Sequence, residues 1–363
     1  MATDLFISTT APVFKVEGTV QGDLARDLLR LEIDETTQGL KTCVLHLLGV
    51  GPSDGASSEQ PLYLDGAIVD FGKALEVSIG ARGNEKIVFR GAISALGPDL
   101  DEGRTPEVVV FAEDKLMRLR MTRRSKAYEQ MSDADIASSI AGEHGLTPDT
   151  DATGPTYDRV LQLNQSDLAF LRERAARIEA EVWCDGDTLG FKTRGNRNGT
   201  DLSLTMGNHL LRLSARADLA HQRTKVIVGG YDADQRATIE QEAGNDAIQA
   251  EISGGKTGPG VLEQAFGERV SYLVRDVPLV DGDATDWAKA ELLRRARAFV
   301  SVSGVTRGSP DMVVGSRLTL SRVGGSFDGG GYYVTRVRHT YDLADGHRTF
   351  FEAERPTLEQ GAA

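Results

Sequence analysis

The sequence predicts a mainly β protein with α+β insertions, and three observations carry that expectation. First, Gly304–Pro356 holds three strand-like runs, Arg317–Val323, Tyr332–Tyr341 and His347–Arg355. Each is rich in Val, Thr, Tyr or Phe, and each is set off by Gly or Asp-Gly turns. Second, apolar and polar residues alternate strictly over Leu29–Asp34, the pattern of a strand with one buried and one wet face. Third, apolar residues recur at three- and four-residue spacing in a few separate stretches, such as Leu168, Leu171, Ala175 and Ile178. The terminal stretch reads as the last sheet of a β-barrel, with Asp345-Gly346 placed for a tight hairpin turn.

In chain order, strands are expected at Val13–Val20, Leu28–Thr37, Lys41–Val50, Leu75–Ile79, Glu85–Leu96 and Glu107–Ala112. Gly91 inside its run marks a bulge or a sharp bend, because a strand glycine has no side chain to pack. Gly51–Gln60 is small, polar and aperiodic, and is expected as an exposed loop.

Lys115–Met121 opens a helical module. Ser132-Asp133-Ala134-Asp135 is a capping signal, followed by the apolar stripe Ile136, Ile140, Ala141 and by Gly145 as the residue that ends the helix. Tyr157–Leu163 is a strand. Ser166-Asp167 starts a second helix through about Ala180, with Leu168, Leu171, Ala175 and Ile178 on one face. Val182–Phe191 is a hairpin around an Asp-Gly turn.

Arg194–Thr200 is expected as a linker, Leu210–Leu219 and Thr224–Gly230 as strands, and Asp232–Asp246 as polar and turn-like. Val270–Val274 is a strand. A third helix, Ala284 to Val300, is capped by Asp283 and buries Trp287, Ala290, Leu293, Ala296 and Val300. Strands near residues 202–231 are expected to pair with strands near 302–355, interrupted by the helical insertion.

The 363 residues suit two to four modules, and 40% apolar with 26% charged residues is a soluble, globular balance. No apolar run approaches the roughly 18 residues of a membrane helix. The first residues, Met1–Phe14, lack a basic region followed by an apolar core, so no secretory signal is expected. Cys43 and Cys184 lie far apart in expected strands. Both suit small buried hydrophobes better than a disulfide or metal pair, in keeping with synthesis in a reducing cytoplasm. A net charge of −13 argues against general nucleic-acid binding.

Few residues invite chemistry. Gly254–Gly260 resembles a phosphate loop only in Gly-Lys-Thr. Ala250 stands where its first glycine belongs, and the following Gly-Pro-Gly is not expected to open a helix. None of the six histidines has the spacing of helical zinc ligands. His339 and His347 lie across an expected hairpin and could approach each other, with packing and hydrogen bonding on a strand as the simpler role. Asp99–Glu102 and Asp149–Asp151 fall in turns, and neither a calcium loop nor a Gly-x-Ser-x-Gly elbow occurs. No catalytic, cofactor-binding or metal residue is therefore expected.

Arg118–Arg124 is the one dense basic cluster. It suits either a solvated helix end or contact with an acidic partner. Arg118, Arg120, Arg123 and Arg124, with Lys256 and Arg269 from the second glycine-rich region, are the interface candidates.

Composite patterns carry a resemblance as well. They are Gly308-Ser309-Pro310, Val314-Gly315-Ser316, Phe327-Asp328-Gly329, Tyr332-Tyr333-Val334, Val337–Tyr341 and Phe351-Glu352. Ser166, Asp167, Phe170, Leu171 and Ala175 add a matching strand, cap and helix. Together they resemble phage late control D proteins, the baseplate hubs of contractile tails, and the hub portion of VgrG proteins of type VI secretion.

The resemblance implies two antiparallel, tail-tube-like β-barrel domains plus a smaller helix-containing module. Residues 1–114 would be the first barrel. Residues 115–195, with roughly 240–300, would be the helical module. Residues 196–239 and 301–357 would form a second, split barrel, and 358–363 a tail.

It further implies a structural, non-enzymatic homotrimer that joins a hexameric inner tube to a separate trimeric spike protein, since VgrG proteins continue into a spike and this chain stops at Ala363. Its other partners would be baseplate components. It would be made in the cytoplasm and assembled into a virion or injection particle, with no cofactor and no direct membrane segment. A cell-wall-degrading or carbohydrate-active β-protein is the alternative from another class, and a monomeric adhesin a third.

Overall fold

The computed structural model of the chain describes residues 11–52, 59–81, 83–151, 154–232, 235–274 and 281–359. The fold is mainly β, with 49% of residues in strands and 21% in helices, as the turn-punctuated runs predict.

The first third contributes β1 (Val13–Val16), β2 (Thr19–Val20), the short α1 (Gly22–Arg26), β3 (Leu28–Thr36), β4 (Thr42–Leu48), β5 (Val50–Pro52), β6 (Glu59–Pro61), β7 (Ala74–Ile79), β8 (Lys86–Asp99) and β9 (Glu107–Glu113). The expected strand Val13–Val20 is in fact a hairpin. Glu17 and Gly18 both take positive φ, 49° and 75°, so the chain reverses between β1 and β2. The expected loop Gly51–Gln60 begins and ends as the paired β5 and β6, and residues 53–58 lie outside the described residues. Most of the N-terminal stretch lies outside them too.

Alternation along β3 buries Leu31, Ile33 and Glu35 and turns Arg30, Glu32 and Asp34 outward. Leu31 and Ile33 join Phe14, Cys43, Leu45, Val77, Phe89 and Val110 in one core. At Gly91 a Cβ would lie 2.2 Å from the Glu113 carbonyl oxygen, a close backbone approach, while the bulge in the pairing with β9 falls further on, between Ile93 and Ala95.

The middle third holds α2 (Leu116–Met121), β10 (Arg123–Met131), α3 (Asp133–Glu143), β11 (Thr147–Thr150), β12 (Tyr157–Ser166), α4 (Asp167–Arg177), β13 (Ala180–Asp185) and β14 (Thr188–Thr193). The capping box forms as the sequence predicts. Ser132 Oγ accepts from the Asp135 amide at 3.2 Å, and Asp135 accepts from the Ser132 amide at 3.0 Å. Gly145 takes φ 67° just past the helix. Ser166 caps α4 in the same way through the Ala169 amide, 3.2 Å away. Ile136, Ile140, Leu168, Phe170, Leu171 and Phe191 fill a second core.

The last third contains β15 (Asp201–Thr205), β16 (Leu210–Ala217), β17 (Lys225–Asp232), β18 (Ala237–Gly244), α5 (Asn245–Gln249), β19 (Lys256–Thr257), α6 (Gly258–Phe266), β20 (Val270–Leu273), α7 (Asp281–Arg297), β21 (Val300–Arg307), β22 (Arg317–Ser321), β23 (Gly329–Asp342), β24 (Gly346–Arg355) and β25 (Thr357–Leu358).

Several expectations need correction here. The Gly-Pro-Gly run does open a helix. Pro259 sits in the first turn of α6, where its missing N–H costs no hydrogen bond, and Thr257 Oγ1 accepts from the Gly260 amide at 3.2 Å. The polar Asp232–Asp246 segment contains β18, in which Ile239 is the one fully buried side chain. α7 starts at Asp281 and ends at Arg297. Val300 belongs to β21, and Ala288 and Leu292, which the spacing missed, are fully buried. The terminal hairpin turns over three residues, 343–345, with Gly346 at φ 64° opening β24 opposite Asp342. Thr357-Leu358, expected to lead a polar tail, pairs as β25 with β19.

Thirteen strands join in one sheet, ordered β16-β21-β24-β23-β3-β4-β9-β8-β7-β1-β2, with β22 on β23 and β15 parallel to β22. β15 and β16 thus meet the terminal strands. β17, expected to do the same, instead forms a separate three-stranded sheet, β18-β17-β20, covered by α7.

β23 organises the large sheet. Its first residues pair with β22, and after a bulge at Val334–Arg336 its remainder pairs with β3, from Arg336↔Thr36 to Asp342↔Arg30. A third core, with Leu204, Val302, Met312, Leu320, Tyr332, Val337 and Phe351, lies under the β16–β23 half. Among the described residues no helix is long and apolar enough to cross a membrane.

Candidate assembly surface

Inward of the β3–β23 seam lies a buried ionic junction. Arg197 is 5% exposed. It donates to Glu35 at 2.7 Å and to Glu181 at 3.0 Å, and stacks over Trp183 at 4.5 Å. Lys41 meets Glu35 at 2.8 Å, and Tyr333 donates to Glu181 at 2.8 Å. Arg194 pairs with Glu354 and lies over the Tyr333 ring.

Burial alone would raise the Glu35 carboxyl, but the Lys41 and Arg197 charges overcome it and hold it below its ordinary value. Nearby, burial pushes Asp114 up to about 7, even though its oxygens accept from the Lys41 and Leu116 amides. The expected linker Arg194–Thr200 is therefore a keystone that ties β3, β13 and β23–β24 together. Gly199 permits it, since a Cβ there would sit 2.3 Å from the Gly315 backbone.

With the junction holding the strands from inside, the other face of the sheet is presented outward. Register aligns its side chains in rows. One row runs Arg212, Val305, Phe350, Arg338, Asp34, Thr42 and Glu113 across β16, β21, β24, β23, β3, β4 and β9. Arg336 makes two bonds to Asp34, at 2.9 and 2.6 Å, and meets Glu352 at 3.4 Å; Arg338 reaches Glu32 at 3.3 Å. Further along, His46 meets Glu107 at 2.9 Å.

The β16–β23 half carries Arg212, Arg307, Arg336, Arg338 and Arg348. The β3–β9 half carries Glu32, Asp34, Glu107 and Glu113. Arginines therefore predominate at one end and carboxylates toward the other, with Glu352 among the first and Arg30 among the second, and two half-exposed phenylalanines, Phe350 and Phe111, lie among the charges. Such a face can bind by charge and shape.

The sequence candidates sit elsewhere, on separate elements. Arg118 is exposed on α2. Arg120, also on α2, is held by two bonds to Glu113, at 2.7 and 2.9 Å. The cluster is not one helix end, because the chain turns into β10 at Arg123. There Arg123 donates to the Asn164 carbonyl, and Arg124 pairs with Glu143 and, at 2.7 Å, with the buried Asp167. Lys256 is exposed on β19. Arg269 follows α6, donating its amide to Thr224 Oγ1 at 2.8 Å and a guanidinium N–H to the Glu268 carbonyl at 2.7 Å. Among the described residues no hydrogen bond or ion pair joins the two groups. The residues that shape the sheet face, Arg212, Arg336 and Arg338, escaped sequence analysis. The one available signal was arginine two apart in Arg336-Val337-Arg338, which puts both charges on one side of a strand.

The two histidines do meet. His339 Nδ1 lies 3.2 Å from His347 Nε2 and 3.2 Å from Thr349 Oγ1, buried on the inner face. Burial, and then the neighbouring His347 and Lys41, hold His339 well below its ordinary value; burial and Arg348 lower His347 to about 4. Cys43 and Cys184 are free, buried and in different cores, as expected of small hydrophobes. Among the described residues no group of three or more His, Cys, Asp or Glu side chains could hold a metal ion.

The fold is shared with tail proteins over most of the chain. The 43 kDa tail protein of prophage MuSo2 from Shewanella oneidensis superposes with a TM-score of 0.71 at 15% identity, over 95% of this chain and 98% of that one. A tail protein from Neisseria meningitidis MC58 gives 0.65 at 14%, over 95% and 96%. The c3393 protein of E. coli, described as a component of the type VI secretion system structurally similar to T4 bacteriophage tail proteins gp27 and gp5, gives 0.55 at 13%, over 96% and 79%. No curated protein matches the sequence. The family model described as the Alg8 N-terminal domain matches residues 15–342.

Proposed function

The chain belongs to the Alg8 N-terminal domain family, and we propose that it is a structural, non-enzymatic baseplate hub of a contractile tail or tail-like injection particle. The observation that carries this reading is the end-to-end likeness to the prophage tail protein, over 95% of one chain and 98% of the other. A match confined to one core would speak only of a common sheet. A match through both sheet halves and the helical module speaks for a common architecture.

On this reading each half of the large sheet curls around its own core as a tail-tube-like barrel. The first is residues 1–114. The second is split between 196–239 and 301–357, with its large-sheet strands drawn from β15, β16 and β21–β24 while β17 and β18 stand in the small sheet, and with the helical module of 115–195 and roughly 240–300 beside them. Two such units per chain and three chains per ring give six similar positions, which match a sixfold tube on one side and a threefold spike on the other. The polarised sheet face lies among the surfaces such a ring uses for its neighbours.

The test is solution mass by light scattering, on the chain alone and mixed with the spike protein encoded beside it. Three chains of 39.1 kDa each, about 117 kDa together, plus a spike trimer are expected. A chain that stays monomeric and ignores the spike overturns the hub.

A further inference from the structure

Two edge strands of this chain are complementary to each other yet belong to different sheets. β16 ends the large sheet and is paired on one side only, to β21. β18 ends the small sheet and is paired on one side only, to β17. Each is eight residues long. From Arg212 to Ala217 and from Thr238 to Ala243 each alternates in the same sense, with even-numbered polar residues outward and odd-numbered, mostly apolar residues toward the core; at the bulge in β16, Leu210 is buried and Leu211 exposed. Their charges are opposite. β16 turns out Arg212, Ser214 and Arg216, whereas β18 turns out Thr238, Glu240 and Glu242. Arg212 and Glu240 have no hydrogen-bond or ion-pair partner among the described residues. Arg216 touches Asp218 only at 4.0 Å, and Glu242 pairs with Lys225 at 3.0 Å on a largely exposed surface.

An unpaired edge presents free backbone N–H and C=O groups and is a template for another strand. We propose that β16 of one copy pairs antiparallel with β18 of a second copy, so that one sheet runs across the subunit boundary. This rests on the hub reading and names the contact that would build its ring.

Full overlap of the two strands sets Arg212 opposite Glu242 and Arg216 opposite Thr238. Ser214 then faces Glu240, which lies diagonal to both arginines and within their reach. The same register keeps Leu213, Ala215 and Ala217 on the side of Gln241, Ile239 and Ala237. A slip by one residue would press the arginines against that apolar side, so alternation selects this register. The two patches differ, so the contact is head-to-tail, the kind that closes a ring when the rotation allows.

The test uses the full chain in two ways. Ser214→Cys with Glu240→Cys places two thiols opposite each other across the boundary, and the native cysteines are buried. Mild oxidation is expected to yield a ladder of up to three chains from the double variant and none from either single one. In parallel, Arg212→Glu with Arg216→Glu, or Glu240→Arg with Glu242→Arg, is expected to weaken self-association at least tenfold. All four changes in one chain restore it, a result that also excludes misfolding as the cause. A wild-type trimer whose charge swaps change nothing and whose cysteines never join overturns this contact and leaves the hub standing. A wild-type chain that is monomeric at every concentration, with and without the spike protein, overturns both.

Discussion

Asp34 and Glu35 are neighbours on β3, and each pairs with arginine, but on opposite faces of the same seam with β23. Asp34 lies outside, its side chain 21% exposed against Arg336 at 34%. Glu35 lies inside, at 9%, against Arg197 at 3%. The hydrogen-bond lengths are alike, 2.6 and 2.7 Å. Distance therefore does not separate the two pairs; water does. The outer pair has an alternative partner in solvent whenever it opens. The inner pair has none, and its members also hold Lys41, Glu181 and the Trp183 face. One seam thus carries both a tunable contact and a fixed one, and the side chain's parity along the strand decides which is which.

The largest break in that contrast is Arg197→Met. It leaves Glu35 and Glu181 short of a buried cation and should cost about 3–5 kcal/mol by chemical denaturation. A loss under about 1 kcal/mol would mean that the inner junction behaves like a surface pair.

Next comes acid. His347 is neutral in the fold and its value is lowered from 6.5 to about 4. The unfolded chain binds that proton first. The stability is present above pH 6.5 and is lost as pH falls toward 4, by about 3 kcal/mol. Glu35, held below 4.5, contributes above that value and adds its own loss only at lower pH. Denaturation midpoints measured from pH 7 to 4 should fall for the wild type and stay flatter for His347→Asn. Parallel curves would show that His347 is not the titrating group.

The smallest effect is expected outside. Asp34→Ala should cost under about 1 kcal/mol, and a double-mutant cycle with Arg336→Ala should give a coupling that fades at 1 M salt. A salt-independent coupling would place this pair with the buried ones.

What could be read from the sequence follows the same division. Strands with one wet face, such as β3, announced themselves by alternation, and the Ser132–Asp135 and Ser166 caps by local hydrogen-bonding chemistry. β10 and β18 did not. In β10 only Tyr128 is buried, and in β18 only Ile239, so their pairing partners define them and their own pattern does not. Arg197 was hidden for a related reason. It sits in a run of Gly, Asn and Thr that has the composition of a solvated link, and only the fold brings Glu35 and Glu181 to it. The arginines of the sheet face were almost as silent: Arg336 and Arg338, two apart, share one side of a strand, but the row that joins Arg338 to Arg212 and Asp34 is set by register across strands.

The long pairing of β23 with β3 has a consequence for synthesis. β3 is complete once residue 36 has emerged, but its partner is not finished until residue 342. At ~5–20 residues per second, the edge of β3 waits roughly 15–60 s on the ribosome with nothing to cover it. Over that interval the nascent chain offers a half-built sheet to any other strand nearby, including the same segment of a neighbouring nascent copy. Yield in the cell should therefore depend on what shields that edge during translation, and a holdase that binds the first hundred residues would raise it more than one that binds the last hundred.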